Sequence, residues 1–306
     1  MKTETINIAD NLKLATFDDF NIINDFLKKH PIEKCDFNIC NIFTWELFSK
    51  LQYTFYLDRL ILFNPSYVYF LSPIGEELSA KELFYIHSSF QKKYNDIELL
   101  GVSEKYVNNN PDLADFFDIK NDETLADYIY TAESLVNLSG KKLAKKKNLI
   151  SQFTRLYPDF SVKPVHAVDY GEIIDFCHYW KEEHDLAGTH EIESEKLDLE
   201  LEAIKSALTH WDLLPCDGTK VYAAGKLCAF SIYSPQTVDM ATVHFEKYDH
   251  KVKGAGQVIN HETAKILIGN FQYINREQDM GSPGMRQAKR SYQPVRMLPF
   301  YRLKPR

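Results

Sequence analysis

Three consecutive strand-like runs, followed by a helix that opens with glycine, constrain the fold of this chain more than any other feature. The runs are TKVYAAG, KLCAFSIYSP and TVDMATVHFEK, and tight turns fall at Gly225-Lys226 and Ser234-Pro235. The helix AGQVINHETAKILIG follows a glycine-broken segment. Because short turns join antiparallel neighbours, the sequence predicts an antiparallel meander that packs against this helix.

The segments on either side of the meander extend the prediction to a complete domain. From Phe160 the predicted order is strand, two helices, three strands, helix, strand, short helix and strand. The short helix has Ser282 as its N-cap and Pro283 at its first position, and a last strand region runs from about Arg296 to Leu303. We therefore expect a mixed, mostly antiparallel sheet flanked by helices.

The first half of the chain gives a rougher copy of this order. A helix near residues 18–29 precedes the runs YTFYL, RLILF and YVYFL, and a later helix begins with a capping box formed by Ser79 and Glu82. Only the acidic SPIGEEL stands between the third run and that helix, so the glycine turn has no counterpart here. The sequence therefore predicts an α/β (α+β) fold with two tandem domains. A degenerate domain would cover residues 1–137, and a domain with the working cleft would cover residues 138–306.

Basic residues are concentrated in two segments of an otherwise acidic chain. The net charge is -7, yet residues 276–306 hold eight Lys or Arg against two acidic residues, and residues 141–155 hold six against none. The second segment reads as a helix that Ser139 can cap, with Lys141 and Lys145 one turn apart. This placement indicates an anionic partner at a defined site rather than coating by nucleic acid. Solvated helix faces are the alternative explanation.

The turn that opens the helix after the meander is a candidate phosphate site. Unpaired backbone N–H groups and the helix dipole favour an anion there, and glycine allows it to approach the backbone closely. Close packing of the helix on the sheet is the alternative reason for the glycines. The predicted donor-binding residues in this turn, after Ile274 and on the basic helix are Lys251, Lys253, Gly254, Ala255, Gly256, Gln257, Asn275, Arg276, Arg286, Lys289, Lys141 and Lys145.

Acidic side chains near this turn are candidates for proton transfer. Period-2 alternation places Thr242, His244 and Glu246 on one face of the third strand, with Glu246 at the end of the strand. Ion pairing with a nearby lysine is the alternative role for Glu246. We expect the carboxylates to act as general bases and a tyrosine to act as proton donor to the leaving group. The predicted catalytic residues are Glu246, Glu277, Asp279 and Tyr292.

The sequence gives no indication of a membrane span, a signal peptide or a bound metal. No window approaches the ~18 apolar residues of a spanning helix, and the first residues lack the apolar core of a signal peptide. The cysteines are odd in number and form no C-x-x-C pair. His178, His184 and His190 recur every sixth residue, which does not place them on one helical face. We therefore expect a cytoplasmic protein without stable membrane insertion and without a metal.

These motifs carry two related resemblances. The pattern Lys251-x-x-Gly254-x-Gly256 resembles the acyl-coenzyme-A signature of GCN5-related N-acetyltransferases, with Lys where that family usually has Gln or Arg. The segments LVNLSGKKLAKKKNLISQF, HFEK, GAGQVIN and INREQDMGSPGMRQAKRSYQP resemble the bacterial family that shares the C-terminal catalytic domain of phosphatidylglycerol lysyltransferase. Members of that family resemble tandem acetyltransferase-like folds and are related to Fem-type aminoacyltransferases.

The resemblance implies an acyltransferase, or more narrowly an aminoacyltransferase, that acts on an amine or hydroxyl acceptor. The donor would carry phosphates, as acyl-coenzyme A and aminoacyl-tRNA both do, and the basic helix from Lys141 would contact them. The alternative is a non-catalytic protein that binds a nucleotide, tRNA or anionic lipid. A catalyst should lose turnover but keep donor binding when Glu246 or Glu277 becomes Gln, whereas a binding protein should respond only to charge removal.

Overall fold

The computed structural model describes residues 8–45, 50–186 and 191–306 of the chain. His190 lies outside the described residues, as does the side chain of His184. The chain divides into two compact units, Met1–Ala126 with Leu298–Arg306, and Asp127–Met297. This division differs from the expected boundary after residue 137. The segment from Asp127 pairs within the second sheet, and the last strand of the chain pairs within the first.

The first unit is built on a mixed sheet. Its only parallel neighbours among the described residues are the fourth and fifth strands, and Phe63, Phe70 and Phe90 lie in its core. In spatial order the described strands are β1 (Lys13–Leu14), β2 (Gln52–Tyr56), β3 (Arg59–Asn64), β4 (Tyr69–Leu71), β5 (Glu98–Val102), β14 (Tyr301–Pro305) and β6 (Phe117–Asn121). The helices are α1 (Phe20–Lys29), α2 (Ile39–Thr44), α3 (Ala80–Gln91) and α4 (Glu104–Asn109). Helix α3 begins with the predicted capping box, in which Ser79 N donates to Glu82 Oε2 at 2.8 Å.

The second unit is built on another mixed sheet, and the predicted meander forms its centre. In spatial order the described strands are β13 (Arg296–Leu298), β7 (Asp127–Thr131), β12 (Tyr273–Asn275), β11 (Met240–Tyr248), β10 (Lys226–Pro235), β9 (Asp217–Ala223) and β8 (Ser161–Pro164). The helices are α5 (Ala132–Asn137), α6 (Ala144–Leu156), α7 (Tyr170–Leu186), α8 (Glu191–Thr209), α9 (Ala255–Leu267) and α10 (Pro283–Arg290). Strands β11 and β12 run parallel, because α9 forms the crossover between them.

The two faces of this second sheet are covered by different helices. Val258 and Ile259 of α9 pack on one face in a cluster with Val221 of β9. On the other face, the ring of Phe176 in α7 lies 5.9 Å from that of Phe230 in β10. These apolar contacts place β10 and β11 between two layers of helices. Polar side chains lie close together at the carboxyl end of β11.

The predicted class, an α/β fold with two mixed sheets flanked by helices, is confirmed. Two local predictions were wrong. Residues 296–303 do not form one strand, because Pro299 lacks a backbone N–H and separates β13 from β14. The basic helix begins at Ala144 and not after Ser139, because Gly140 adopts a left-handed φ of 88° and a turn follows it. Lys141 and Lys142 therefore precede the helix. None of the described helices is long and apolar enough to cross a membrane.

Candidate active site

Strands β11 and β12 separate at their carboxyl ends and open a gap in the second sheet. Their last paired residues are Thr242 and Asn275. Beyond this point the chain after β12 stays beside β7, since Arg276 N donates to Tyr128 O at 3.0 Å and Tyr128 N donates to Glu277 O at 3.2 Å. The side chains of Arg276 and Glu277 are thereby placed at the gap.

A β-bulge in β11 determines which of its side chains face α9. The register of β10 against β11 shifts in the middle of the pair and leaves His244 as an extra residue. Past the bulge, Glu246 pairs with Ser231, whose hydroxyl oxygen lies 2.6 Å from that of Thr263 in α9. Because directly paired residues share a face, Glu246 also faces α9.

Arg276 forms the centre of the site on the α9 side of the gap. Its Nη2 donates to Oε1 of Glu246 at 2.7 Å, and the two side chains are only 13% and 15% exposed. The guanidinium carbon lies 5.1 Å from the ring centroid of Tyr292 and 5.9 Å from that of Tyr130. With the Asn260 amide in its flipped orientation, its side-chain oxygen accepts a hydrogen bond from Nη1 of Arg276 at 2.9 Å. Glu246 is therefore the counter-ion of Arg276.

A second cation, Lys146 of α6, lies beside this centre. Its Nζ is 4.4 Å from the ring centroid of Tyr292. Burial, and then the neighbouring charges of Arg276 and Lys145, hold the pKa of Lys146 below its ordinary value. Among the described residues, no carboxylate forms an ion pair with it. The site consequently carries a positive charge that Glu246 alone does not balance.

A second hydrogen-bonded bridge crosses the gap on the opposite face of the sheet. Nδ1 of His244 lies 2.9 Å from Oε1 of Glu277, and its Nε2 lies 2.7 Å from Oγ of Ser234. Tyr233 packs in the cluster that includes α9, so Ser234, as the next residue in the strand, faces away from α9. The expectation that His244 and Glu246 share one face was therefore wrong, because the bulge interrupts the alternation.

Asp279 has a different set of partners from Glu277. Its carboxylate accepts hydrogen bonds from Tyr128 Oη at 2.6 Å, Arg286 Nε at 2.7 Å and Gly281 N at 2.9 Å. Although burial opposes the change, the hydrogen bonds from Arg286 and Tyr128 lower the pKa of Asp279 to about 2. Asp279 and Arg286 thus fix the loop before α10. Glu277, the other carboxylate of this loop, is bound to His244 instead.

Asn275 and Lys289, two further predicted residues, form hydrogen bonds that stabilise the same loop. Asn275 donates to Asp127 Oδ2 at 2.7 Å and accepts from Glu277 N at 2.7 Å. Lys289 donates to the carbonyl oxygen of Gln278 at 2.5 Å. These contacts hold the backbone on which Arg276 and Glu277 are placed.

The glycine turn before α9 is filled by the chain itself. A Cβ atom at Gly254 would lie 2.6 Å from the carbonyl oxygen of Leu149 in α6, and one at Gly256 would lie 2.8 Å from the ring of Tyr248. Gly254 also has a left-handed φ of 88°, and all three residues of the turn are buried. Close packing by α6 and Tyr248 therefore accounts for both glycines.

The remaining predicted donor-binding residues lie in different surroundings. Although burial raises the pKa of Tyr292, the side chain of Gln257, in the first turn of α9, lies near enough to lower that pKa slightly, and so borders the centre around Arg276. Lys251 turns to α7, where its Nζ lies 2.6 Å from Oε2 of Glu183. Exposed side chains belong to Lys141, Lys145 and Lys253.

Comparison with known proteins agrees with this architecture. The family model for phosphatidylglycerol lysyltransferase, C-terminal, matches residues 31–304. The chain belongs to this family. A crystal structure of a conserved protein of unknown function from Bacteroides thetaiotaomicron VPI-5482 is 28% identical, with a TM-score of 0.86, and the match covers 96% of this chain and 99% of that chain.

Two more distant relatives extend the comparison. The structure of L-PGS from Bacillus licheniformis is similar with a TM-score of 0.63 over 95% of this chain and 93% of that chain, and at 12% identity the likeness shows the fold alone. An uncharacterized protein of Mycoplasmoides gallisepticum is 25% identical over 183 residues, which are 60% of this chain and 57% of that protein. The match therefore spans little more than half the length of that relative.

Three residues of this site, Lys146, His244 and Ser234, were not predicted as site residues from the sequence. Lys146 does have a signal in the sequence: it stands on the same helical face as Ile150 and Phe153, and a cation there interrupts an apolar stripe. His244 and Ser234 carry none, since their meeting depends on a bulge that alternation does not predict.

Proposed function

We propose that this chain transfers an aminoacyl group from aminoacyl-tRNA to a hydroxyl or amine acceptor. The observation that carries the proposal is the pair of cations at the gap, Arg276 and Lys146. Of these two cations, Arg276 forms an ion pair with a carboxylate of the described residues, and Lys146 does not. A phosphate near the 3′ end of tRNA would balance the remaining charge. Membership of the lysyltransferase family supports aminoacyl transfer as the class of reaction.

Aminoacyl-tRNA fits these residues better than acyl-coenzyme A. A coenzyme A pyrophosphate would need the helix entrance at Gly254, which is buried beneath α6. Lys146 instead belongs to a basic segment in which Lys141 and Lys145 are exposed to solvent. A polyanion bound along that segment would contact several lysines, including Lys146 beside Arg276.

The two faces of the gap would hold the two substrates. Arg276 lies on the α9 side, where its N–H groups would stabilise the oxyanion that forms when the acceptor attacks the ester carbonyl. Glu277 lies on the other side with its side chain 20% exposed, and would take the proton of the attacking hydroxyl or amine. Burial raises the pKa of Tyr292, so its hydroxyl stays protonated and would donate to the departing ribose oxygen. The bond between the acyl carbon and the ribose oxygen breaks, and the new ester or amide remains on the acceptor.

A transfer assay tests this function directly. The purified chain is mixed with tRNA charged with radiolabelled lysine, and separately with other labelled amino acids. Vesicles of phosphatidylglycerol serve as the hydroxyl acceptor and ethanolamine as the amine acceptor. We expect label to move from the tRNA to one of these acceptors at a rate that depends on the protein concentration.

Thermal unfolding distinguishes the donors. A ligand at a hundred times its dissociation constant adds about 2.7 kcal/mol to stability, so aminoacyl-tRNA should raise the unfolding midpoint and acetyl-coenzyme A should not. Stabilisation by acetyl-coenzyme A alone would assign the donor to coenzyme A. Stabilisation by tRNA without transfer to any acceptor would favour an anion-binding protein.

A further inference from the structure

We propose that His244 is a positioning residue for Glu277, and that Ser234 holds His244 in the tautomer this role requires. The inference rests on the proposed function, because Glu277 is the general base there. It arises from the hydrogen-bonded series Ser234 Oγ, His244 Nε2, His244 Nδ1 and Glu277 Oε1, whose two links are 2.7 and 2.9 Å long.

Burial decides which end of this series meets the substrate. The side chain of Glu277 is 20% exposed, whereas that of His244 is 1% exposed and Ser234 as a residue is 1% exposed. The order of groups is that of a serine, histidine and acid triad, but solvent reaches the acid and not the serine. An attacking acceptor would therefore contact Glu277, and Ser234 would act through the histidine.

The hydrogen-bonding capacity of the three groups fixes the tautomer. A carboxylate only accepts, so Nδ1 of His244 carries the hydrogen and donates it to Glu277. Nε2 is then an acceptor, and the hydroxyl of Ser234 can rotate to donate to it. Without that hydroxyl, only the carboxylate of Glu277 would favour hydrogen on Nδ1 over Nε2, and Nε2 would lose its hydrogen-bond donor in this series.

Glu277 needs this support because its backbone is in a sparsely populated conformation. Its φ is 55°, in the left-handed region, which costs a non-glycine residue on the order of 1 kcal/mol. Hydrogen bonds to Asn275 and Tyr128 fix the backbone of Glu277, and the bond from His244 fixes the direction of its carboxylate. The bulge that extrudes His244 from the regular alternation therefore aims a side chain at the site, as bulges beside active sites do.

The test compares variants that keep or remove each hydrogen bond. His244→Leu removes the donor to Glu277, whereas His244→Asn places an amide N–H near the position of Nδ1. Ser234→Ala removes the hydroxyl, and Ser234→Thr keeps it. Ser231→Ala is the matched control, because it removes another buried serine of β10 that bonds to α9 on the other face.

Steady-state kinetics with lysyl-tRNA, or the charged tRNA that the wild type uses best, supply the first readout. We expect His244→Leu to lower kcat about a hundredfold and Ser234→Ala about tenfold, with KM for the tRNA unchanged because the donor lies on the other face. His244→Asn and Ser234→Thr should recover most of the lost kcat. Ser231→Ala should keep the wild-type kcat.

Nitrogen NMR of protein with labelled histidine supplies a second readout that does not depend on turnover. We expect His244 to carry its hydrogen on Nδ1 in the wild type, and Ser234→Ala to shift hydrogen towards Nε2. Hydrogen on Nε2 in the wild type, or full kcat in His244→Leu, overturns the inference and leaves the proposed function standing. A wild-type chain that transfers no aminoacyl group overturns the proposed function, and the role of His244 in it fails as well.

Discussion

Nη2 of Arg276 lies 2.7 Å from Oε1 of Glu246, and this ion pair joins strand β11 to the segment that follows β12, beyond the last backbone pairing of the two strands. Both side chains are largely buried, so each charge depends on the other for compensation. The pair therefore limits what Glu246 can do, because a carboxylate that neutralises a buried guanidinium is poorly placed to accept a proton as well.

Removing Arg276 should destabilise the fold by leaving Glu246 buried without its partner. We expect Arg276→Met to lower the free energy of unfolding by about 3 kcal/mol, as measured by urea denaturation. The double variant Arg276→Met with Glu246→Leu should regain much of that loss, because it removes both charges. The control is Arg306→Met, whose exposed pair with Asp118 should contribute at most about 1 kcal/mol. Equal effects of the two single variants would show that solvent compensates Glu246.

Removing Lys146 should weaken tRNA binding without harming stability. Its pKa is lowered by burial, so the charged form is less favourable in the folded chain than in the unfolded chain. Below the folded pKa this penalty is fully present. The penalty fades as the pH rises from the folded pKa to the ordinary value. Lys146→Met should therefore keep or raise the free energy of unfolding.

Salt dependence checks the binding part of this prediction. If Lys146 contacts one phosphate, the slope of log affinity for tRNA against log salt should fall by roughly 0.7 to 0.9 in Lys146→Met. Lys163→Met is the matched control, because Lys163 also lies over a tyrosine ring, 5.0 Å from the centroid of Tyr222, but on strand β8. A change of slope in Lys163→Met as large as that in Lys146→Met would contradict a specific role for Lys146.

The sequence predicted the architecture because the governing signals are local. The capping box at Ser79 and Glu82, the period-2 runs of the meander and the proline-started helix after Ser282 each form within a few residues, and the structure has all three. The domain division was harder to predict, because strand β14 lies in a sheet whose other strands come from the first half of the chain.

The candidate site was less predictable because it depends on distant pairings. Arg276 meets Glu246 across 30 positions of sequence and Tyr128 meets Asp279 across 151, and neither distance follows from spacing. The glycine turn illustrates the limit of a motif. The same two glycines suit a phosphate or a close helix contact, and only the position of Leu149 distinguishes the two roles.

Asp279 should make stability depend on pH in the acid range. Its pKa is about 2 in the folded chain against 3.8 ordinarily, so its stabilising effect is complete above the ordinary value and is lost as the pH falls towards 2. The full effect is on the order of 2 kcal/mol, and about half of it should be lost by about pH 3. The difference in unfolding free energy between wild type and Asp279→Asn should narrow by about 1 kcal/mol between about pH 5 and pH 3. Asp118→Asn, at an exposed carboxylate that pairs with Arg306, is the control variant.

A pair of glycines with the same backbone angle can separate packing from anion binding at the turn before α9. Gly254 and Gly140 both have φ of 88°, but a Cβ at Gly254 would meet Leu149 O at 2.6 Å, whereas no described atom lies within 4 Å of one at Gly140. Both alanine variants should lose about 1 kcal/mol from the left-handed backbone, and Gly254→Ala should lose roughly 1 to 3 kcal/mol more because α6 has to shift. Thermal or urea unfolding measures the difference. Equal losses, together with weaker binding of acetyl-coenzyme A in Gly254→Ala alone, would return this turn to the role of a phosphate site.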